Sequence, residues 1–560
     1  RVLRALPSGR GGSHRALQDG PRHPDVGSRL DSPRPPQGTG TLRSGGSDGG
    51  RGPSSRRASH AADMSVVAAR LPLVSGPLAS TGAELVSLTG AELLVDGRLP
   101  VRGASVDSRL LAERPGALFL ALPGAQTDGR LFLNAAIDAG AHALLVQVGS
   151  ESDTVSREMQ VALTRAAERG VSLLRTADGA GALARLAAQW RTRFGIEVIG
   201  VTGSVGKTTT KEAIRVALGG VGAHVAATPG NANNEIGLPL ALLNMPDGTE
   251  RFVAEMGMYV GGEIRSLCTL ARPRIGAVTA IDAVHAERAG DLDAIEAAKG
   301  ELVEELPADG CALLAADDPR VARLRARTKA RVILVGSAEG SDIRILSAEL
   351  DQVTARTAVL LSVAGEKIAV DLPLFGVHFA RAAAFAIGVA QVCGVDLRLA
   401  AERLSDFELP GGRASLQTVG GVRIIDDAYN AAPSSMRAAL ATLATSRGAR
   451  FAALGAMGEL GSYADEAHLA IGRAAAESGL SALLVFGSDA DGIAEGARSA
   501  GMPVDKIVRL SADEQGIAAG AGLIADRART GDTVLIKASR SVALDRLATS
   551  LRERLRGGVA

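Results

Sequence analysis

The stretch VTGSVGKTTT at residues 201–210 runs from a hydrophobic segment through glycines into Lys207, Thr208 and Thr209. That order predicts a buried strand, a tight loop and the first turn of a helix. The amides of Gly203, Ser204, Val205 and Gly206 can turn inward as an anion cradle, the helix N-terminus adds partial positive charge, and Lys207 adds a full one. All three favour a phosphate group at one point. Thr208 is placed to put its hydroxyl on the Mg2+ that accompanies a nucleotide. The loop departs from the longer GxxxxGK[ST] form, because Val201 takes the place of the first glycine.

Three residues farther along have the types to complete such a site. Glu255 ends the run VAEMG, at the carboxyl edge of a parallel sheet where ligands of such sheets collect. It is a candidate Mg2+ ligand, the alternative being a surface glutamate in a turn. His285 follows IGAVTAI at the same edge and is either a second ligand or a structural loop histidine. Lys299 lies in DLDAIEAAKGELVEEL, where Ile295, Leu302, Val303 and Leu306 fall at helical spacing around it and put it on the inward face. Burial lowers a lysine's pKa and frees its amine, which CO2 can convert to a carbamate able to hold Mg2+. The alternative is a lysine that snorkels to solvent.

Holding these groups requires an α/β scaffold, and the patterning supplies one. Between residues 84 and 190, short apolar runs such as GALFLAL and HALLVQ alternate with Ala-rich helical stretches. The P-loop strand, RFVAEM, IGAVTAI and CALLAAD predict a mostly parallel central sheet across 191–408. RIIDDA, RFAALGA, ALLVFG and TVLIKA predict a third α/β unit over 409–560. Three domains suit 560 residues.

Bulk composition excludes several functions. Residues 1–63 contain 11 Arg, no Lys, 5 Asp and no Glu, whereas the remainder has 51 Lys and Arg against 56 Asp and Glu. No basic domain suggests nucleic-acid binding, and a single Trp makes base stacking a poor strategy. Segment 1–63 is read as a disordered or non-native extension ahead of Met64, with a nucleic-acid-binding arm as the competing reading. No apolar run reaches the roughly 18 residues of a membrane helix, and no secretory signal is visible. Cys268, Cys311 and Cys393 lie outside metal-ligand or CxxC spacing, which fits a reducing compartment.

DSR at 107–109, GALFLALPGAQTDG, GSVGKTT, TPGNANNEIGLPL, AEMG, AAKGEL, IDDAYNAAPSSM, GAMGELG and KASRS, in this order, resemble the Mur ligase family. The resemblance implies an N-terminal uridine-nucleotide-binding α/β domain, a central P-loop ATP-binding domain and a C-terminal Rossmann-like domain. In detail it is similar to the branch that joins D-alanyl-D-alanine to UDP-N-acetylmuramoyl-tripeptide through an acyl phosphate. The products would be the pentapeptide precursor of peptidoglycan, ADP and phosphate, made by a cytoplasmic bacterial enzyme acting as a monomer. Carried over by motif, residues 203–209 bind the ATP phosphates, with Asp426, Tyr429 and Asn430 also on the nucleotide. Thr208 would hold one Mg2+; Glu255, His285 and a carbamylated Lys299 would serve a second. Ser108 and Arg109 would recognise the uridine nucleotide, and Asn233, Asn234, Arg413, Asp427, Lys537, Ser539 and Arg540 would face the substrates.

The chain departs from the family pattern at Ala280, Ala382, Ala432 and Ala456 and at Arg130, which puts the implied adenine and ribose contacts in question. Competing readings are the branch that adds the third residue of the peptide and a non-enzymatic P-loop switch. DDPR at 317–320 resembles the DNPR signature of that branch but lies in the central domain, and an NKxD base-recognition motif is missing.

Overall fold

The computed structural model describes residues 75–557 apart from 125–126, 150–151, 220–223 and 410, so the 1–63 extension and Met64 lie outside the described residues. Three sheets organise the chain. The first has five strands in the order Glu92–Val95, Ser172–Thr176, Ala143–Gln147, Leu118–Ala121, Ala104–Ser105, all parallel except the first pair. Helices Leu133–Asp138 and Asp153–Arg169 connect its strands, and Gly179–Thr192 leads from its last strand in sequence to the central sheet.

The central sheet is the largest. From one edge it runs Glu366–Leu372, Arg356–Val363, Ile343–Asp351, Arg331–Gly336, Cys311–Ala315, Ile275–Val278, Glu197–Thr202, Arg251–Glu255, Val225–Ala227. Glu197–Thr202 has Ile275–Val278 on one side and Arg251–Glu255 on the other, both parallel to it. The chain leaves that strand in one direction and later returns on its other side. The crevice at such a switch point, beyond the carboxyl ends of the strands, is where open α/β sheets bind ligands. The antiparallel ribbon Ile343–Leu372 extends this sheet and is an element that the sequence pattern did not announce.

The third sheet is ordered Ser415–Val419, Val422–Asp426, Thr533–Lys537, Arg450–Gly455, Ala482–Phe486, Ile507–Leu510, antiparallel only at its first pair. Its central strand ends deliver Asp426, Lys537 and the loop after Gly455 to one edge. Aliphatic side chains fill both faces, as a chain with 2% aromatic residues requires. Among the described residues no helix is long and apolar enough to cross a membrane.

Candidate active site

The P-loop owes its shape to two glycines. Gly206 has φ 83°, a left-handed conformation that turns the backbone into helix Lys207–Leu218, and a Cβ on Gly203 would lie 2.1 Å from Thr279 Oγ1. Thr279 fixes the loop by donating to Val205 O at 2.6 Å. Ser204 is pinned as well: its Oγ donates to Asp282 O and accepts from Asp282 N, both at 2.9 Å. Lys207 Nζ lies over the loop, 2.7 Å from Gly203 O and 3.3 Å from Ser204 O. Burial holds its pKa below the ordinary lysine value; the carboxylate of Glu255 opposes that shift and Arg413 adds to it.

Glu255 is only 1% exposed. Its Oε2 accepts from Thr208 Oγ1 at 2.8 Å, its Oε1 accepts from Asn233 Nδ2 at 2.9 Å, and its own amide donates to Thr228 Oγ1. The structure thus removes the surface-turn alternative and brings together Lys207, Thr208, Asn233 and Glu255. Lys299 is also 1% exposed, on the inward face of helix Leu292–Glu304, whose N-terminus Asp291 caps through Ala294 N. Its alternative as a snorkelling lysine is likewise removed. Burial, and then the charge of Lys207, hold its pKa well below the ordinary value, which keeps the amine in its neutral form more readily.

His285 points elsewhere than expected from the neighbourhood of Glu255 alone. Its Nδ1 pairs with Glu459 Oε2, from the loop after strand Arg450–Gly455 of the third sheet, and its ring meets that of Tyr259 edge-on at 5.2 Å. Both His285 and Glu459 have left-handed backbones, with φ 68° and 61°. Burial and Lys207 lower the pKa of His285, against the pull of Glu459. A carboxylate on one ring nitrogen orients the other, the arrangement usual for a metal-bound histidine. Among the described residues, however, no three His, Cys, Asp or Glu side chains converge as a metal cage.

The opposite wall comes from the third sheet. Lys537 Nζ, almost fully buried, donates to Asp427 Oδ2 at 2.6 Å and to Asn430 O at 2.9 Å, and Asp427 Oδ1 accepts from Ala414 N. The Arg413 guanidinium stacks 3.9 Å from the Tyr429 ring centre, and Arg540 lies 6.0 Å from it. Asp282 reaches this wall too, because its Oδ2 accepts from Ser434 N in the first turn of helix Pro433–Ala444.

Between the two walls lies a cavity of ≈ 1110 Å3. Of the residues singled out from sequence, Ser204 to Thr209, Asn233, Asn234, Glu255, His285, Arg413, Asp427, Tyr429, Asn430, Lys537, Ser539 and Arg540 line it. Gly203 lies at its floor through the carbonyl that Lys207 caps, and Lys299 sits within electrostatic reach of Lys207 and His285. Asp426 does not belong there. Its carboxylate turns to Arg552 at 2.7 Å, on helix Asp545–Gly557, and so ties that helix to the sheet. Ser108 and Arg109 are also apart from the cavity, in a 3-10 turn of the first sheet where Arg109, with an 86% exposed side chain, bonds Asp107.

Three contributors escaped the sequence reading: Lys211, Asp282 and Glu459. Lys211 had a visible signal, since it falls three residues after Thr208 and three before Ile214 on the buried stripe of its helix. Asp282 and Glu459 act across domains and had none. The departures Ala382 and Ala432 line the cavity, and Ala280 contributes its carbonyl, which accepts from Ser204 N at 2.8 Å.

A phosphate cradle at a sheet switch point, facing a second α/β domain across a cavity, defines a nucleotide-dependent enzyme that works between domains. The model of the Mur ligase middle domain matches residues 201–390, that of the Mur ligase glutamate ligase domain 412–540, and that of the Mur ligase family catalytic domain 100–191. A UDP-N-acetylmuramoyl-tripeptide--D-alanyl-D-alanine ligase from Mycobacterium bovis is 34% identical over 80% of this chain and 91% of its own length. One of the same name from Bacillus subtilis is 31% identical, over 81% and 93%. Among solved structures, MurF from Acinetobacter baumannii superposes with a TM-score of 0.72 at 26% identity, covering 86% of this chain and all of that one. MurF ligase from Thermotoga maritima, in complex with ADP, gives 0.69 at 27%, covering 82% and 99%. The chain belongs to the Mur ligase family. It is a three-domain ligase, and the reading as a P-loop switch falls away.

Proposed function

We propose that this chain joins D-alanyl-D-alanine to UDP-N-acetylmuramoyl-tripeptide at the expense of ATP, through an acyl phosphate. The observation that carries the proposal is the cavity itself: Lys207, Thr208 and Glu255 on one wall and Arg413, Asp427 and Lys537 on the other. The 34% identical relative, matched over 91% of its length, carries the same activity in its name and favours this branch over the one adding the third residue.

The chemistry follows from charge. A substrate carboxylate must approach the γ-phosphate, and two anions repel. The loop amides, Lys207 and Arg413 offset that repulsion where it develops. The carboxylate oxygen bonds to the γ-phosphorus as ADP leaves. The dipeptide's amine, after losing its proton, then attacks the acyl carbon, and phosphate departs with the carbon–oxygen bond electrons to leave an amide. Mg2+ fits the oxygen pair of Thr208 and Glu255, which lie 2.8 Å apart at the cavity wall, and when bound would supply charge neutralisation with phosphate oxygens as further ligands. A carbamylated Lys299 would add a carboxylate for a second Mg2+, with His285 held in orientation by Glu459. Asp427 aims Lys537, and Asp282 and Glu459 keep the walls together while the acyl phosphate, which water would waste, exists. Ser108 and Arg109 are proposed for the uridine nucleotide. We assign the enzyme to the bacterial cytoplasm, where its nucleotide substrates are, as a monomer.

The test is direct: ATP, UDP-N-acetylmuramoyl-tripeptide and D-alanyl-D-alanine are mixed with the protein, and dipeptide-dependent ADP and phosphate are expected. AMP and pyrophosphate would mean adenylate chemistry and overturn the proposal. Running the diaminopimelate and lysine tripeptides side by side identifies the third residue.

A further inference from the structure

Lys211 is 0% exposed and plays no part in the mechanism above. Burying an ammonium without partners is costly, so its contacts say what holds it there. Nζ donates to Thr228 O at 2.6 Å and to Gly230 O at 3.0 Å. It also lies 3.0 Å from Glu212 Oε1 and 3.8 Å from Glu255 Oε2. The two carbonyls belong to the segment TPGNANN, residues 228–234, which leaves strand Val225–Ala227 and carries Asn231, Asn233 and Asn234 into the cavity. The helix that bears Lys211 begins at Lys207 and Thr208 in the phosphate cradle. One turn of helix therefore separates the groups that face phosphate from the group that grips the neighbouring loop.

Other ties join the same parts. Asn233 donates to one Glu255 oxygen and Thr208 to the other, while Thr228 Oγ1 accepts from the Glu255 amide. These are bonds between neutral donors and a carboxylate or between neutral groups. The two that end on the carboxylate are charge-assisted through their acceptor, and Lys211 adds the one charged donor; such bonds are about twice as strong as neutral ones.

We propose that Lys211 is a positioning residue that fixes loop 228–234 against the phosphate-binding helix and so sets the substrate-side wall of the cavity. The proposal rests on the ligase reading for the identity of the substrate, but its geometry does not. Lys211 touches neither nucleotide nor peptide; it acts through Thr228, Gly230 and Glu255.

The experiment uses the full chain with Lys211→Met and Lys211→Gln, the second keeping a donor for one carbonyl should the first fail to fold. Amide hydrogen exchange is followed over 225–237, with strand Cys311–Ala315 as internal control, and calorimetry gives affinities for UDP-N-acetylmuramoyl-tripeptide and for ADP without Mg2+. Exchange in the loop is expected to rise at least about tenfold with the control strand unchanged, tripeptide affinity to fall at least about tenfold, and ADP affinity to stay within about twofold. Unchanged loop exchange in a folded variant overturns the proposal. So does faster exchange throughout with equal loss of both affinities, which would mean general loosening. A wild-type protein that does not bind the tripeptide defeats the ligase reading instead, and the exchange measurement still judges Lys211.

Discussion

The two walls of the cavity are both cationic but carry their charge differently. On the central-sheet side, Lys299, behind the wall, has no hydrogen bond or ion pair among the described residues, and Lys207 has only carbonyls of its own loop within hydrogen-bond distance. On the third-sheet wall, Lys537 is locked to Asp427 and Arg413 rests on Tyr429. Burial therefore lowers the pKa of both Lys207 and Lys299. The difference teaches a division of labour. The central wall leaves Lys207 and Lys299 without acidic hydrogen-bond partners, free for the ligands proposed above, whereas the other wall pairs its cations within the protein.

Variants can break that contrast, and the largest effect is expected at Lys207. Lys207→Ala should lower ATP turnover about a thousandfold while UDP-tripeptide binding, read by calorimetry, persists. Loss of both would point to misfolding. Next, Lys299→Ala should cost about a hundredfold or more in ligation, with partial rescue by added bicarbonate, and 13C-labelled CO2 should mark wild-type Lys299. Full activity of the alanine variant would mean that the central wall needs no carbamate.

A third variant separates adjacent residues on the third-sheet side. Asp426→Asn breaks a buried pair with Arg552 and should destabilise the protein by about 3 kcal/mol in denaturant unfolding, with kcat of the folded fraction unchanged. A kcat defect would return Asp426 to the cavity.

The smallest effect concerns His468, whose Nε2 accepts from Met457 N and whose Nδ1 lies 2.8 Å from Ala464 O. Burial depresses its pKa. The folded state thus binds fewer protons than the unfolded one, so stability is present above about pH 6.5 and falls as pH drops through the unfolded value toward the folded one. His468→Gln should flatten about 1 kcal/mol of that dependence in thermal melts at graded pH.

Much of the central wall was legible in the sequence because its residues sit on regular elements. A strand end fixes where Glu255 goes, and helical spacing fixes the direction of Lys299. The same spacing argument reaches Lys211, yet a lysine on a helix is usually solvated, and nothing local announced the two carbonyls waiting for it. The pair Asp426 and Asp427 shows where local reading stops. Asp426 is the last residue of its strand and Asp427 the first beyond it, so the two side chains diverge, and the packing of helix Asp545–Gly557 decides which one leaves the cavity. Glu459 and Asp282 meet partners 174 and 152 residues away in the chain, across a domain interface that no periodicity encodes.

Asp282 has a mechanical consequence. Its main chain grips Ser204 of the phosphate loop, and its carboxylate grips the first turn of helix Pro433–Ala444. A single residue is thus a rivet between the cradle and the third-sheet wall. A displacement of that wall would either break the bond at Ser434 or pull on Ser204, so strain across the interface would reach the phosphate cradle directly.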